Sequence, residues 1–235
     1  MEFDPPLIPA TLLQRYKRFL ADVRFEDGRE LTVHCPNPGS MFGLTQAGNR
    51  VWVSDSRNPK RKLQYTLELV QTNGTLVGVN TNHPNKLAVE ALEAGRIPAL
   101  SGYKALRTEV RYGVNSRIDI LLEHEHAPDV FVEVKNVHFV RKAGLHEFPD
   151  SVTSRGAKHL REMAAEVAKG NRAAMLYIIQ RDDGDRFGFA SDLDPHYVEC
   201  FREAHNAGVE AFAIRCDVKT DRIEARDLLP VELPF

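Results

Sequence analysis

The first third of the chain sets short apolar runs between turn residues, at intervals that suit strands. Residues 19–25, 30–34, 50–54, 64–71 and 76–80 each mix β-branched, aliphatic or aromatic side chains with polar ones. Asp27-Gly28 and Asn73-Gly74 join two pairs of these runs. Such dipeptides tolerate the positive φ that tight turns require, so both pairs are predicted hairpins. Pro5, Pro6 and Pro9 mark an extended entry, and residues 12–19 read as a short turn of structure leading into the first strand. Five or six strands without a helical period predict a small barrel, of the OB or the SH3 kind.

After Asn82-His83-Pro84-Asn85 the period changes. Leu87, Ala88, Ala91 and Leu92 form one helical stripe over 84–94, which Gly95 ends. Strands follow over 105–111, 116–122 and 130–137, then an irregular stretch over 138–153. A second helix is predicted over 154–169, with Leu160, Met163, Ala164 and Val167 inward. An apolar strand over 173–180, a short strand over 187–190, a third helix over 195–207 and a strand over 210–216 complete the chain. This order predicts α/β layers around a mixed sheet. The domains are therefore 1–82, a β-barrel, and 83–235, an α/β domain.

Two of these strands carry charge where apolar residues are expected. Asp119 lies between Ile118 and Ile120, and Glu133 and Lys135 alternate with Val132 and Val134. Side chains alternate with period two, so Glu133 and Lys135 share a face, and the short link over 123–129 makes the strands neighbours. Two carboxylates and an ammonium on an apolar sheet are expensive to bury unpaired. A divalent cation such as Mg²⁺ accounts for them; so does a plain ion pair at a solvated strand end.

Composition narrows the classes. Hydrophobic residues make up 43% of 235 and charged residues 27%, ordinary values for a globular protein with a sizeable core. No apolar run has membrane-span length and the start lacks a signal core, so a cytoplasmic location is expected. Cys35, Cys200 and Cys216 are too few and too widely spaced for a disulfide framework or a zinc site. Net charge is −2, but residues 1–82 hold 10 Lys and Arg against 8 Asp and Glu.

The basic residues of that half cluster. Arg15, Lys17 and Arg18 interleave with Tyr16 and Phe19, and Arg57, Lys60, Arg61 and Lys62 surround Pro59. Basic grooves with aromatic platforms bind nucleic acid; short charge runs also serve as plain solvated loops. Trp52, the only tryptophan, is either such a platform or barrel core. Pro36-Asn37-Pro38-Gly39-Ser40-Met41 is a stiff loop that either offers N–H groups to a phosphate or packs between domains. Arg155, Lys158 and His159 fall on one side of the second helix, suited to a phosphate backbone or to solvent.

An aspartate followed on the next strand by Glu-x-Lys resembles the PD-(D/E)xK nuclease superfamily. Asn115-Ser116-Arg117-Ile118 stands where the namesake proline would be. The whole chain resembles the sugar fermentation stimulation protein A family, described as DNA-binding. Its specific segments are Arg15-Tyr16-Lys17-Arg18-Phe19, His34-Cys35-Pro36-Asn37-Pro38-Gly39-Ser40-Met41, Arg61-Lys62-Leu63-Gln64-Tyr65-Thr66, Val79-Asn80-Thr81 and Arg155-Gly156-Ala157-Lys158-His159-Leu160. The resemblance implies an N-terminal OB-like barrel and a C-terminal mixed sheet with an αβββαβ restriction-endonuclease-like core. It further implies Glu90, Asp119, Glu133 and the Val134 carbonyl as ligands of Mg²⁺ or Mn²⁺, and Lys135 as the catalytic lysine beside Asp119 and Glu133. The expected partner is double-stranded DNA.

Two functions follow as expectations: a metal-dependent nuclease, or a non-catalytic DNA-binding regulator linked to sugar metabolism. A sugar-handling enzyme has less behind it, because no Gly-rich phosphate loop and no nucleophile constellation stand in the chain.

Overall fold

The computed structural model describes residues 1–113 and 116–234; Asn115, named above, lies outside them. Six strands form the first sheet: β1 (Ile8–Tyr16), β2 (Leu20–Phe25), β3 (Glu30–His34), β4 (Arg50–Asp55), β5 (Tyr65–Thr72) and β6 (Thr75–Gly78). They pair in the order β3-β2-β1-β4-β5-β6. A parallel bridge from His34 to Thr66 joins β3 to β5 and closes β1 to β5 into an OB-like barrel. Closure hides strand edges that would otherwise be open to pairing. Leu12, Ala21, Val23, Val33, Val53 and Leu67 fill the interior. Asn73 and Gly74 adopt φ of 49° and 83°, the paired positive values that a two-residue hairpin needs.

β1 departs from the expected short turn. It is nine residues long, carries Pro9 opposite Trp52, and has a bulge between Leu12 and Gln14. Proline speaks locally against a strand. Here pairing with β2 and β4 on either side outweighs that local preference.

The second domain begins with α1 (Pro84–Glu93) and a short 3₁₀ turn (Pro98–Leu100). Then come β7 (Ala105–Tyr112), β8 (Ser116–Glu123), β9 (Val130–Val137), β10 (Phe139–Lys142), β11 (Gly144–Phe148) and α2 (Ser154–Ala168). The chain continues with β12 (Arg172–Ile179), β13 (Gly184–Phe189), α3 (Pro195–Asn206), β14 (Glu210–Val218) and β15 (Ile223–Leu229). The main sheet has the order β15-β14-β12-β9-β8-β7, with β9, β12 and β14 parallel and the outer pairs antiparallel. Leu87, Ala88, Ala91 and Leu92 of α1 cover one face, against Ile120, Val130, Val132 and Val134. Leu160 and Met163 of α2 and Tyr197 and Phe201 of α3 cover the other, against Met175, Tyr177 and Ile179. Burial on both faces explains why β12 carries no charge after Arg172.

Two parts of this domain were not anticipated. Residues 138–153, expected to be irregular, contain the β10–β11 hairpin, which joins β13 in a separate sheet. Its residues are mixed in polarity, so no period of two marks it. β15, rich in charge, pairs with β14 at the sheet edge, where one side faces solvent.

Leu7, Trp52 and Leu69 of the first domain pack into the same cluster as α1. Trp52 is buried there, as core between the domains and not as an exposed stacking platform. The Pro36–Met41 stretch also bridges the domains. Asn37 Nδ2 anchors it within the first domain by donating to the Val79 carbonyl at 3.0 Å, and the Ser40 N–H crosses to the second by donating to Asp150 Oδ2 at 3.0 Å. Gly39 needs no positive φ; a Cβ there would lie 2.3 Å from Asp150 Oδ2.

Candidate functional site

β8 and β9 pair over Ile120↔Val132, Leu121↔Phe131 and Leu122↔Val130. Beyond that point each keeps its outer partner: β8 follows β7 down to Ser116↔Tyr112, and β9 follows β12 to Val137↔Ile179. The sheet opens into a fork, and Asp119 and Glu133 stand in it. Asp119 Oδ2 accepts the Val134 N–H at 2.7 Å, and Oδ1 accepts Asn85 Nδ2 at 3.0 Å. The carboxylate thus meets a strand N–H that the parted ladder does not use.

Glu133 is buried, and its Oε1 takes two partners. Lys135 Nζ lies 2.5 Å away, and His159 Nδ1 on α2 bonds the same oxygen. Glu133 Oε2 is buried with no hydrogen-bond partner among the described residues. The period-two expectation holds locally: Val130, Val132 and Val134 face α1, while Glu133 meets α2.

The two carboxylates sit in opposed electrostatic settings. Burial raises the Asp119 carboxyl above its ordinary range, and the Glu133 charge adds to it. Burial pushes Glu133 the same way, but the Lys135 and His159 contacts outweigh it and hold Glu133 below its ordinary value. Tyr112 borders the site. Its buried hydroxyl has no partner among the described residues, and burial together with Glu133, Glu162 and Asp119 raises its pKa.

Not every expected residue joins the cluster. Glu90 accepts from the Met1 ammonium at 2.6 Å and lies 3.9 Å from Lys86 Nζ, so it faces the chain start. Asn85, one turn earlier on α1, reaches Asp119 in its place. His159 is buried on Glu133 and is not on an exposed phosphate-facing side. Arg155 Nε lies 3.4 Å from His159 Nε2, and exposed Lys158 lies 3.6 Å from Glu162. In the barrel, Arg15 donates to the carbonyls of Arg18, Asn37 and Gly39 and so secures the interdomain loop. Lys17, Arg18, Arg57, Lys60, Arg61 and Lys62 are exposed, with Arg61 also donating to Thr66 Oγ1 at 3.2 Å. Asn85, Tyr112 and the inward turn of His159 escaped sequence reasoning. Asn85 read as a helix-start residue, and neither of the others carries a local signal.

Among the described residues no three or more of His, Cys, Asp and Glu gather as a metal site. The donors present are nonetheless of one kind: two carboxylates, one with an unsatisfied buried oxygen, beside the Val134 backbone. Hard oxygen donors in this number suit a cation that keeps waters and completes its shell with a phosphate.

The family model described as "Sugar fermentation stimulation protein RE domain" matches residues 82–222, and that described as "SfsA N-terminal OB domain" matches residues 13–79. The chain is 54% identical over 232 residues to a sugar fermentation stimulation protein homolog of Brucella ovis, covering 99% of this chain and 98% of the relative. It is 57% identical over 223 residues to the homolog of Rhodospirillum centenum, covering 95% and 96%. Among solved structures it is similar to Pyrococcus furiosus SfsA in complex with Ca²⁺, with a TM-score of 0.88, 28% identity, and 99% and 98% of the two chains covered.

Proposed function

Because the chain belongs to the sugar fermentation stimulation protein family, we propose that it is a nucleic-acid-binding protein whose second domain carries a divalent-metal-dependent phosphodiesterase site. The observation that carries this reading is the fork. Asp119, Glu133 and Lys135 meet there among the apolar residues Ile118, Ile120, Val132 and Val134, and Glu133 Oε2 is buried and unsatisfied. Asp119, Glu133 and the Val134 carbonyl would hold the cation, Mg²⁺ or Mn²⁺ in the working protein. The Ca²⁺ complex of the Pyrococcus furiosus relative supports a divalent site. When bound, such a cation activates water and neutralises charge on a phosphate.

The chain's own residues supply the rest. His159 braces Glu133 from α2, and Asn85 and the Val134 N–H orient Asp119. The Lys135 ammonium, 16% exposed, sits where it can stabilise negative charge growing on a phosphate oxygen. Double-stranded DNA is the proposed substrate, with the exposed barrel cations Lys17, Arg18, Arg57, Lys60, Arg61 and Lys62 and the α2 pair Arg155 and Lys158 along its backbone.

The test is nicking of supercoiled plasmid by the purified protein with Mg²⁺ or Mn²⁺, beside Glu133→Ala. Cleavage that requires metal and vanishes in the variant is expected. Equal cleavage by both proteins sinks the site assignment. No cleavage of duplex, RNA or branched DNA, with salt-sensitive binding retained, leaves the non-catalytic DNA-binding regulator as the reading.

A further inference from the structure

β7 and β8 continue past the fork as an antiparallel pair, and near their far end Arg111 and Arg117 stand directly opposite each other. Both are exposed. Like charges opposed across a ladder repel, so the pair weakens the hairpin unless an anion joins it. Among the described residues neither guanidinium has an ion-pair or hydrogen-bond partner. The same strand offers the contrast: Arg107 donates to Glu123 at 2.8 Å and is neutralised.

The two arginines, with Tyr112, Gly113 and Ser116, line a cavity of about 520 Å³. Tyr112 and Ser116 are buried at its wall. Arg117 is two residues from Asp119, roughly 6.6 Å along an extended strand. The need for cations here is physical. Asp119 and Glu133 repel a polyanion, and the second domain as a whole has more acids than bases, 25 against 21 over residues 83–235.

The geometry points to Arg111 and Arg117 as a clamp for a backbone phosphate of the nucleic acid, next to the phosphate held at Asp119 and Glu133. Planar guanidinium groups take phosphate oxygens in pairs, and two from adjacent strands can grip one phosphate from both sides. The clamp rests on the nucleic-acid reading proposed above and names residues that hold the substrate in place.

The experiment is fluorescence anisotropy of a short labelled DNA duplex and of a single strand, with Ca²⁺, over a salt series. It compares wild type, Arg111→Gln, Arg117→Gln, the double variant, and Arg107→Gln as the control on the same strand, with thermal melts of each. Expected is a loss on the order of 10-fold per clamp arginine and a salt slope smaller by about 1 for each. Arg107→Gln should bind as wild type. Wild-type affinity and slope in the double variant overturn the clamp and leave the nucleic-acid reading standing. Equal losses in Arg107→Gln overturn it too, because the effect is then general edge charge. Absence of any binding by wild type overturns the nucleic-acid reading and the clamp together.

Discussion

Asp119 accepts the backbone N–H of Val134 at 2.7 Å, across the gap where β8 and β9 part. The bond orients the carboxylate, but the group remains costly. Burial and Glu133 raise its folded pKa, so in the window above its unfolded value the folded state holds more protons. Stability therefore falls as pH rises through that window, and the penalty is complete above the folded pKa. Asp119→Asn removes the charge; its oxygen can take the Val134 N–H if the Asn85 amide turns to accept. At neutral pH without metal the variant should be more stable by about 1 kcal/mol, with the gain fading in acid. Urea melts in chelator at several pH values check this, and a less stable variant at neutral pH contradicts it.

Glu133 should behave in the opposite sense. Although burial raises it, Lys135 and His159 win and depress its folded pKa, so it contributes stability that is present above the unfolded value and lost as pH falls through the folded one. Glu133→Gln leaves the mostly buried Lys135 ammonium without its anion, at a cost of about 3 kcal/mol. Wild type should gain about 2.7 kcal/mol from Mn²⁺ or Ca²⁺ at a hundredfold excess over Kd, and the variant nothing. Melting scans with chelator and with each metal decide; an equal metal-induced shift in both proteins refutes the ligand role.

His146 on β11 is expected to weaken the fold in acid. It is fully buried, neither ring nitrogen makes a well-formed hydrogen bond among the described residues, and burial, helped by the Arg181 charge, outweighs the nearby Asp183 charge and Gly184 backbone and lowers its pKa to about 4. The unfolded chain then binds the proton first, near the ordinary value. Stability from neutral His146 is present above about 6.5 and is lost as pH falls towards 4, up to about 3 kcal/mol. His146→Gln should flatten the stability profile between those limits. An unchanged slope in urea titrations would show that other groups carry it.

Gly39 lies at a close approach between the domains, against the Asp150 carboxylate. A Cβ would lie 2.3 Å from Asp150 Oδ2, the same oxygen that accepts the Ser40 N–H. Gly39→Ala should cost about 1–3 kcal/mol. Asp150→Ala loses the Ser40 acceptor but clears the space, so the double variant should be less destabilised than the two single losses added. Additive losses would mean that the loop moves aside freely.

Most elements were legible because their periods are local. The stripe of Leu87, Ala88, Ala91 and Leu92 marks α1, the alternation of Val130, Val132 and Val134 marks β9, and Asn73-Gly74 marks a turn. β1 was not legible, since Pro9 points away from a strand and only partners on both sides make it one. The β10–β11 hairpin and β15 hide for the same reason: their pairing supplies what their mixed composition lacks.

Local pattern along the chain is enough to divide it into a barrel and an α/β part and to single out Asp119, Glu133 and Lys135 at the fork. Period, turn chemistry and misplaced charge are properties of neighbouring residues, readable along the chain. The groups that surround those residues come from packing between distant segments. Asn85 reaches Asp119 from 34 residues away, His159 reaches Glu133 from 26, and Glu90 turns to the chain start 89 residues off. Hydrogen bonds act over a few ångströms in space whatever the separation in sequence, so packing alone chooses among the polar side chains that could have filled the site.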